Sequence, residues 1–412
     1  MTLIEELQFR ELLFAVTDDD LAKVLENEKV TFYLGADPTA NSLHVGHLVT
    51  YLVAKRLVER GHKAILLIGG GTGLIGDPSG KSEERNLLTL DETMKNSEAL
   101  ANQASRILPE AVIVNNYDWL KKIDLITFLR DIGKHFGLNY MLAKDSVKSR
   151  LETGISFTEF TYQIIQSIDF LELYKTQQCK LQIGGQDQWG NITAGLELIR
   201  KTLGQEHKAY GLVIPLITKA DGTKFGKTAG ESVWLDAKRT TPYEFYQYWL
   251  NLDDKDATTK LKQFTSLSKD VIEDILQEMI KTPHLRHAQK AIAEELTVLV
   301  HGEEALKQVQ NISNALFYND VFGLSADEIE MGFKGVPSLS TNEDMNVIDA
   351  FIGLNLASSK REARTFLTQN ALTVNGEKIT DESFLITKEN ALHKQYTIVR
   401  RGKKLYGVIK HK

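Results

Sequence analysis

The chain has 412 residues, of which 42% are hydrophobic and 25% are charged, as in an ordinary globular protein of two or three domains. Its single cysteine, Cys179, excludes an intrachain disulfide and a cysteine-rich zinc site, which fits a reducing cytoplasm. The N-terminus lacks the pattern of a signal peptide and the apolar runs are short, so we expect no membrane partner.

The net charge of −6 is unevenly distributed along the chain. Residues 346–412 hold 12 Lys and Arg against 6 Asp and Glu, whereas residues 1–345 hold 37 against 49. A small basic module therefore follows an acidic body, and this asymmetry indicates a segment that binds a polyanion.

The first strong pattern is a short apolar strand over residues 30–34, a loop with Gly, Pro and Asn, and a helix over residues 43–57. His44 and His47 lie on one face of the first helical turn, and Gly46 lets a ligand approach the backbone. Free amides at a helix start bind anions, so the stretch suits phosphates. Histidines at this spacing are equally typical of a protein surface or a metal site, and the stretch alone leaves these alternatives open.

A second apolar strand follows over residues 64–68, and strand, helix and strand with short connections predict a parallel α/β sheet of Rossmann-like type. The glycine-rich run over residues 69–82 contains partial matches to a dinucleotide fingerprint and to a P-loop. We reject both, because Asp77 and Pro78 break the helix that must follow, and Ile75 stands where a P-loop has its first glycine.

The middle of the chain predicts a strand at residues 112–114, an amphipathic helix at 125–136 and a further helix at 157–174. On this last helix the polar side chains stand at positions i, i+4 and i+7 of one stripe, and they are Tyr162, Gln166 and Asp169. A stripe of this kind is a solvated face or the wall of a polar pocket, and the periodicity does not decide between them.

Strands at residues 180–183 and 213–217 with a helix at 191–201 continue the sheet pattern. After them, Lys224 and Lys227 flank Gly226 in a loop that can close on phosphates. A lysine-rich loop is more often solvated surface.

The rest of the chain divides into three predicted parts. Residues 241–322 are predicted to be helical with breaks only at the two prolines, residues 326–344 form a linker, and residues 345–412 form a small α+β module. Asn375 and Gly376 predict the turn of a β-hairpin within this module.

Taken in order, these motifs resemble the class I aminoacyl-tRNA synthetases. Residues 38–47 are similar to their HIGH-type motif, with Val45 for isoleucine, and residues 224–228 to their KMSKS-type motif, with Phe225 and Gly226 for Met and Ser. The whole chain is more closely similar to the bacterial-type tyrosyl-tRNA synthetases, which the runs at residues 154–160 and 183–191 also resemble.

The resemblance implies a Rossmann-like catalytic domain with a helical insertion at residues 1–222 and a KMSKS-type loop with an α-helical domain at 223–325. Residues 345–412 are similar to an S4 RNA-binding domain, after the linker at 326–344. The implied reaction joins L-tyrosine and ATP into tyrosyl-adenylate and pyrophosphate, then transfers tyrosyl to the 3′ end of tRNA(Tyr). It implies ATP with Mg²⁺ as substrate, no tightly bound cofactor or resident metal, a homodimer, and no DNA partner.

The resemblance also implies residue roles. The catalytic residues are His44, His47, Thr39, Lys224, Lys227 and Thr228, with Lys81 and Arg85 as accessory cations. The tyrosine-binding residues are Tyr33, Asp77, Tyr162, Gln166, Asp169 and Gln188. The ATP-binding residues are Gly35, Asp37, His44, Gly46, His47, Gly185, Asp187 and Lys227. The tRNA-binding residues are Lys360, Arg361, Arg364, Arg400, Arg401, Lys403 and Lys404.

Two rival functions remain to be weighed against this one. A tryptophanyl enzyme would share the motifs, but Tyr33 and Asp169 match the phenol-contacting pair of the tyrosine enzymes. An RNA-binding protein that has lost catalysis would not need the intact histidine and lysine motifs.

Overall fold

The computed structural model describes residues 1–79, 87–148, 150, 154–228, 231–318 and 320–412. The chain forms two compact units. The first comprises Met1–Arg239 and Leu250–Ile292, and the second comprises Thr240–Trp249 and Ala293–Lys412. No helix among the described residues is long and apolar enough to cross a membrane.

A six-stranded sheet forms the centre of the first unit, in the spatial order β1-β6-β5-β2-β3-β4. Its strands are β1 Ala15–Val16, β2 Thr31–Ala36, β3 Lys63–Ile68, β4 Val112–Asn115, β5 Cys179–Gly185 and β6 Tyr210–Ile214. All neighbours pair in parallel except β1, which pairs antiparallel with β6. The chain leaves β2 towards β3 on one side and returns to β5 on the other, and ligands bind at such a reversal of strand order.

The helices up to residue 301 are, in chain order, α1 Leu3–Phe9, α2 Leu21–Asn27, α3 Val45–Glu59, α4 Leu90–Ile107, α5 Tyr117–Leu120, α6 Leu125–Thr127, α7 Leu138–Leu142, α8 Asp145–Lys148, α9 Phe157–Gln177, α10 Trp189–Leu203, α11 Pro242–Leu250, α12 Asp254–Phe264, α13 Lys269–Lys281 and α14 His287–His301. Of these, α11 belongs to the second unit except for Leu250, and α14 begins in the first unit and ends in the second. A short hairpin joins β7 Lys227–Thr228 to β8 Glu231–Ser232. Buried side chains of β2, β3, α9 and α10 form one apolar cluster against the sheet.

The second unit combines helices with a five-stranded sheet in the order β12-β11-β14-β15-β9. Its further elements are α15 Glu303–Tyr318, α16 Ala326–Gly332, β9 Ser338–Thr341, β10 Met345–Asn346, α17 Val347–Gly353, α18 Lys360–Thr368, β11 Leu372–Val374, β12 Glu377–Lys378, β13 Leu385–Ile386, β14 Tyr396–Arg401 and β15 Leu405–His411. Asn375 and Gly376 join β11 to β12 with φ angles of 48° and 88°, which confirms the predicted hairpin turn. The α/β class with a small α+β module at the end is likewise as predicted.

The segment 326–344 differs from the predicted linker. It contains α16, which Ser325 and Glu328 cap reciprocally, and β9, which pairs in parallel with β15. Glycine, proline and polar residues suggested a flexible connection, but the same composition also fits a capped helix followed by an edge strand.

Three predicted elements have different limits. The strand at 213–217 ends at Ile214, because Pro215 has no N–H to donate to the ladder. The helix at 125–136 is divided into α6, a π-helical turn at Phe128–Ile132 and a 3₁₀ turn at Gly133–His135. The helical stretch 241–322 has further breaks between α11 and α12 and between α12 and α13, away from its prolines.

Candidate active site

The candidate site lies at the carboxyl ends of the parallel strands in the first unit. Asp37 follows β2, Thr72 follows β3, Asn116 follows β4 and Gln188 follows β5. Since parallel strands end at the same edge of a sheet, these four polar side chains reach one crevice.

Asp37 accepts two hydrogen bonds that orient its carboxylate. The Tyr162 hydroxyl donates to Oδ2 over 2.8 Å, and the Thr72 hydroxyl donates to Oδ1 over 2.7 Å. A Cβ atom at Gly69 would lie only 2.0 Å from Asp37 Oδ1, so this position must lack a side chain. The carboxylate is therefore held in place before any ligand arrives.

Asp169 lies deeper in the same network. Asn116 Nδ2 donates to Thr72 Oγ1 and to Asp169 Oδ2, each over 2.9 Å, and Trp119 Nε1 donates to Asp169 Oδ1 over 2.8 Å. Asp169 is 1% exposed. Burial raises the pKa of Asp169 to about 8, although its two donors act in the opposite direction.

Tyr33, on β2, has a buried side chain whose ring lies 5.3 Å from that of Phe170. Its hydroxyl has no hydrogen-bond partner among the described residues. Burial and the charge of Asp169 raise the pKa of Tyr33 well above its usual value, so the hydroxyl stays protonated. A buried hydroxyl without a partner is costly, and this one is available to a ligand atom.

A second hydrogen-bonded group surrounds Gln188. Asp77 Oδ2 accepts from Gln188 Nε2 over 2.7 Å, and Asp77 Oδ1 accepts from the Ser79 amide over 2.9 Å. Asn191 Nδ2 donates towards the side-chain oxygens of Gln188 and Gln166, each at 3.1 Å. The orientations of both glutamines are thereby fixed.

His44 and His47 lie at the start of α3, where His44 is the N-cap residue. His44 Nδ1 accepts from the Gly46 amide over 3.0 Å, and His47 Nδ1 accepts from the His44 amide over 3.2 Å. Each neutral ring must therefore carry its proton on Nε2. The rings stack with centroids 3.9 Å apart, and burial, followed by repulsion from His44, lowers the pKa of His47 to about 3.

Backbone contacts join the lysine loop to this helix start. The Val45 amide donates to the Val233 carbonyl, and the Val233 amide donates to the Gly226 carbonyl, each over 2.9 Å. Gly226 has a φ of 87°, and a Cβ there would lie 3.4 Å from the Gly46 nitrogen. Lys224 and Lys227 on this loop are exposed. The loop thus brings two cations to the half-buried histidine pair.

The remaining predicted residues of the site lie around the crevice. The Thr39 amide donates to the Asp37 carbonyl over 2.8 Å in an exposed turn, and Gly35 is exposed at the end of β2. Asp187 is exposed, yet the protein around it partly excludes water and raises its pKa, with repulsion from Asp77 as a further cause. A Cβ at Gly185 would lie 2.7 Å from Asp187 Oδ1.

Three predicted residues are wholly or partly beyond this description. Lys81 and Arg85 lie outside the described residues. Thr228 ends β7, but its side chain is not among those described. Among the described residues, no group of three or more His, Cys, Asp or Glu side chains could hold a metal ion.

The predicted tRNA-binding residues all lie in the second unit and divide into two groups. Lys360 is 2.8 Å from Asp349, Arg364 is 2.9 Å from Glu382, and Arg401 donates to the Leu356 carbonyl. These contacts engage the cations within the module, and Arg400 is half-buried beside Tyr406. The second group consists of exposed cations that form no ion pair or side-chain hydrogen bond with the described residues, and they are Arg361, Lys403 and Lys404.

The site also includes residues that the motifs did not indicate, namely Thr72, Asn116 and Trp119. Asn116 directly follows a parallel strand, and the rule that ligands bind at carboxyl ends of strands could have identified it. Thr72 lies in the segment after β3, so the same rule could have identified it. Trp119 carried no comparable signal, and it enters the site because the fold brings its indole N–H to Asp169.

Comparison with known proteins adds independent information. A family model described as tRNA synthetases class I (W and Y) matches residues 25–318, and one described as the SYY-like C-terminal domain of tyrosine–tRNA ligase matches residues 328–409. The chain is 53% identical to the tyrosine–tRNA ligase of Geobacillus stearothermophilus over 100% of both chains. It is 52% identical to that of Bacillus pumilus, over 100% of this chain and 99% of the relative.

A similar solved structure is that of a C-terminally truncated mitochondrial tyrosyl-tRNA synthetase from Aspergillus nidulans. It has a TM-score of 0.70 and 30% sequence identity, and the match covers 77% of this chain and 94% of that one.

Proposed function

The chain belongs to the class I tRNA synthetases of the tryptophan and tyrosine group, and from its site we infer a tyrosine–tRNA ligase. It activates L-tyrosine with ATP to give tyrosyl-adenylate and pyrophosphate, and it transfers tyrosyl to tRNA(Tyr). The roles of individual residues that follow are our proposals. The observation that carries the choice of tyrosine is the hydroxyl of buried Tyr33, which has no partner within the described part of the chain and lies near Asp169.

Tyr33 and Asp169 recognise the phenol of the substrate. The Tyr33 hydroxyl is a buried donor and acceptor that none of the described residues pairs with, and Asp169 is a buried acceptor held by Asn116 and Trp119. A phenylalanine side chain would leave these groups unsatisfied in a desolvated pocket, whereas a tyrosine hydroxyl pairs with both.

Asp77, Tyr162 and Gln166 bind the α-ammonium group of the substrate. Each offers an oxygen acceptor. The Tyr162 hydroxyl donates its hydrogen bond to Asp37, so the lone pairs of the Tyr162 oxygen can accept from an incoming N–H. Gln188 faces the reacting carboxyl group, with its amide fixed by Asp77 and Asn191. The substrate carboxylate is thus oriented by groups that do not need to reorganise.

The nucleotide lies on the other side of the crevice. The nucleotide is bound along the backbone at Gly35, Asp37, Gly46 and Gly185, where the glycines also leave room for it. Asp187 accepts hydrogen bonds from the ribose hydroxyls. Glycine permits the close approach to the backbone that a phosphate or ribose requires. A Cβ at Gly46 would lie 2.8 Å from His44 Cε1 and one at Gly185 2.7 Å from Asp187 Oδ1, so a side chain at either place would displace a residue of the site.

In the activation step a carboxylate oxygen of tyrosine bonds to the α-phosphorus, and the bond from this phosphorus to the leaving pyrophosphate oxygen breaks. Negative charge accumulates on the pyrophosphate. His44 and His47 donate Nε2–H groups to it, while Lys224 and Lys227 approach as cations with hydroxyls of Thr39 and Thr228. Donors that meet charge mainly in the transition state accelerate the step.

Mg²⁺ enters the site bound to the ATP phosphates, because this ion prefers substrate phosphates and water to an all-protein cage. Its charge adds to that of the loop lysines on the leaving group. Lys81 and Arg85 are assigned accessory contacts with the same phosphates.

The second unit provides the surface for tRNA. Arg361, Lys403 and Lys404 are exposed cations that contact RNA phosphates and position the molecule without reading its bases. Lys360, Arg364, Arg400 and Arg401 contribute to the same positive field from within contacts of the module. Residues 1–222 are the catalytic segment, residues 223–325 the loop and anticodon-side helices, and residues 345–412 the RNA-binding module.

We also propose a homodimer in the cytoplasm. Five apolar side chains of α6, its following π-helical turn, α7 and α9 are between 53% and 75% exposed, and they are Leu125, Ile126, Leu129, Leu138 and Phe157. These five side chains lie within residues 125–157, and exposed apolar groups in this number are typical of an interface between copies. Replacing Phe157 by aspartate should shift the mass measured by light scattering from dimer to monomer, and an unchanged dimer mass would contradict this surface.

Exchange of pyrophosphate into ATP tests the choice of amino acid. We expect exchange that depends on L-tyrosine and on Mg²⁺, with L-phenylalanine and L-tryptophan close to the blank. Exchange with tryptophan and none with tyrosine would identify the sister activity. Binding of tRNA without exchange for any amino acid would identify a non-catalytic RNA-binding protein.

A further inference from the structure

Two separate segments supply the groups proposed to meet the phosphates, namely the start of α3 and the loop at residues 218–228. Helix α12 lies outside the crevice and contacts the loop directly, and it contacts the last turn of α3 through Arg56. We propose that Lys260 and Asp256 of α12 position the loop that carries Lys224 and Lys227. The inference rests on the role proposed above for these two lysines, and it adds positioning residues that do not touch substrate.

Lys260 has its ammonium group buried against the loop. The side chain is 3% exposed, and Nζ donates to the Thr218 carbonyl over 2.8 Å and to Gln263 Oε1 over 3.1 Å. The same Nζ lies 4.8 Å from the centre of the Phe225 ring. Burying an ammonium group costs free energy unless it is hydrogen-bonded, so Lys260 must keep its contacts with the loop. These contacts in turn fix the position of the Thr218 carbonyl and the Phe225 ring.

Asp256 holds the same loop one helical turn earlier. Its Oδ1 accepts from the Ala220 amide over 2.7 Å. Thr218 forms a β-bridge with Lys224, and the Phe225 amide donates to the Ile217 carbonyl over 3.2 Å. Contacts that fix residues 218–220 therefore also fix the paired segment that carries Lys224.

The residue that follows α12 contacts α3 through Arg56 and the end of α1 through Arg10. The Thr265 carbonyl accepts from Arg56 Nη2 over 2.6 Å and from Arg10 Nη1 over 2.9 Å. Arg56 belongs to α3, and Glu6 forms ion pairs with both arginines at 3.3 and 2.6 Å. Since a helix is a rigid element, α12 relates the position of the loop to the helix that begins with the histidine pair.

A cavity of about 540 Å³ lies beside these contacts, and Lys260, Asp256 and Thr218 are among its lining residues. Without the Lys260 and Asp256 hydrogen bonds, the loop has space into which it can shift. A displacement of about 1 Å in a positioning contact can lower a rate about 100-fold.

The first test is Lys260→Met, which keeps the length of the side chain and removes Nζ. Tyrosine-dependent pyrophosphate exchange should slow about 10- to 100-fold, while the Kd for tyrosine stays within about twofold. Lys255→Met, an exposed lysine on the same helix, is the matched control and should exchange at the wild-type rate. A wild-type rate for Lys260→Met, or an equal loss of tyrosine binding, would overturn the proposal.

A double-mutant cycle with Lys227→Ala tests whether Lys260 acts through the loop. If it does, the two losses together should be smaller than the product of the single losses, because a displaced loop no longer benefits from Lys227. Independent, multiplicative losses would overturn the proposal. A wild-type rate for Lys227→Ala alone would overturn the role of the loop itself, and the single variant identifies that case.

Asp256 gives a second measurement if Lys260→Met does not fold. Asp256→Asn keeps an oxygen acceptor for the Ala220 amide, whereas Asp256→Ala removes it. We expect exchange close to wild type for the asparagine variant and about tenfold slower for the alanine variant. Equal rates for the two variants would overturn the proposal.

Discussion

The tyrosine side and the phosphate side of the crevice are built in opposite ways. On the proposed tyrosine side, Thr72, Asn116, Trp119 and Asp169 are joined by hydrogen bonds of 2.8 to 2.9 Å before a ligand is present. On the phosphate side, the lysines of the loop are exposed, and the loop is positioned through backbone contacts.

The difference follows from the chemistry of the two ligands. A phenol and a phenyl ring differ by one hydroxyl, and only buried, already oriented partners penalise the lack of that hydroxyl. A triphosphate is strongly charged and is bound by the lysines of the loop. These lysines must stay hydrated until it binds, because burying unpaired cations would cost more free energy than folding supplies. The proposed roles therefore assign selectivity for tyrosine to the buried network and the rate of adenylate formation to the loop.

Removing a loop cation should give the largest effect. Lys227→Ala is expected to slow adenylate formation about 100- to 1,000-fold in a single turnover, because one preorganised group is lost from the developing charge. The Kd for tyrosine should stay within about twofold, since the buried network is intact. Lys238→Ala, an exposed lysine of the same unit, is the control and should behave as wild type.

Weakened tyrosine binding in Lys227→Ala at an unchanged rate constant would contradict the division between the two sides. Rapid-quench measurement of adenylate and equilibrium dialysis of tyrosine separate the two quantities.

Changing the buried network should have the next largest effect. Asp169→Asn replaces one acceptor oxygen by an amide that must face a donor from Asn116 or Trp119. Tyrosine binding should weaken about 10- to 100-fold, because the substrate hydroxyl loses an oriented acceptor in a desolvated pocket. Equilibrium dialysis checks this, and Asp118→Asn, on the exposed surface nearby, is the control. An unchanged Kd would remove Asp169 from phenol recognition.

The sequence predicted functional residues that are neighbours along the chain better than it predicted contacts between distant residues. The glycines, histidines and lysines of residues 35–47 and 224–228 are adjacent along the chain, so their pattern indicated a phosphate site directly. The side chains of Thr72, Asn116 and Trp119 form hydrogen bonds with Asp37 and Asp169, which are far away in sequence. The periodicity of a single helix or strand cannot predict contacts over such separations. Similarly, β9 could not be distinguished from a linker, because its pairing with β15 is a long-range contact.

Tyr33→Phe should separate stability from binding. The variant removes a buried hydroxyl that has no partner among the described residues, so the free protein should unfold at the same temperature or slightly higher. Tyrosine should bind about tenfold more weakly, because its phenol loses one partner. Thermal unfolding with and without tyrosine measures both effects. A lower melting temperature for the free variant would mean that the hydroxyl is already satisfied in the empty site.

A further expected effect is a dependence of stability on pH that comes from Asp169. The folded protein keeps a proton on this carboxyl up to a pKa of about 8, whereas an unfolded aspartate releases it near pH 4. Between these values the folded state binds more protons than the unfolded state. Stability from this group is therefore present at low pH and lost as pH rises, by at most about 1.4 kcal/mol per pH unit.

Asp169→Asn cannot titrate, so the difference in melting temperature between wild type and this variant isolates the carboxyl from all other groups. Wild type should lose stability relative to the variant as pH rises from 5 to about 8. A constant difference would mean that hydrogen bonds from Asn116 and Trp119 outweigh burial and keep the carboxylate charged. The buried network would then carry a permanent charge like the loop opposite, and the two sides would differ in solvent exposure alone.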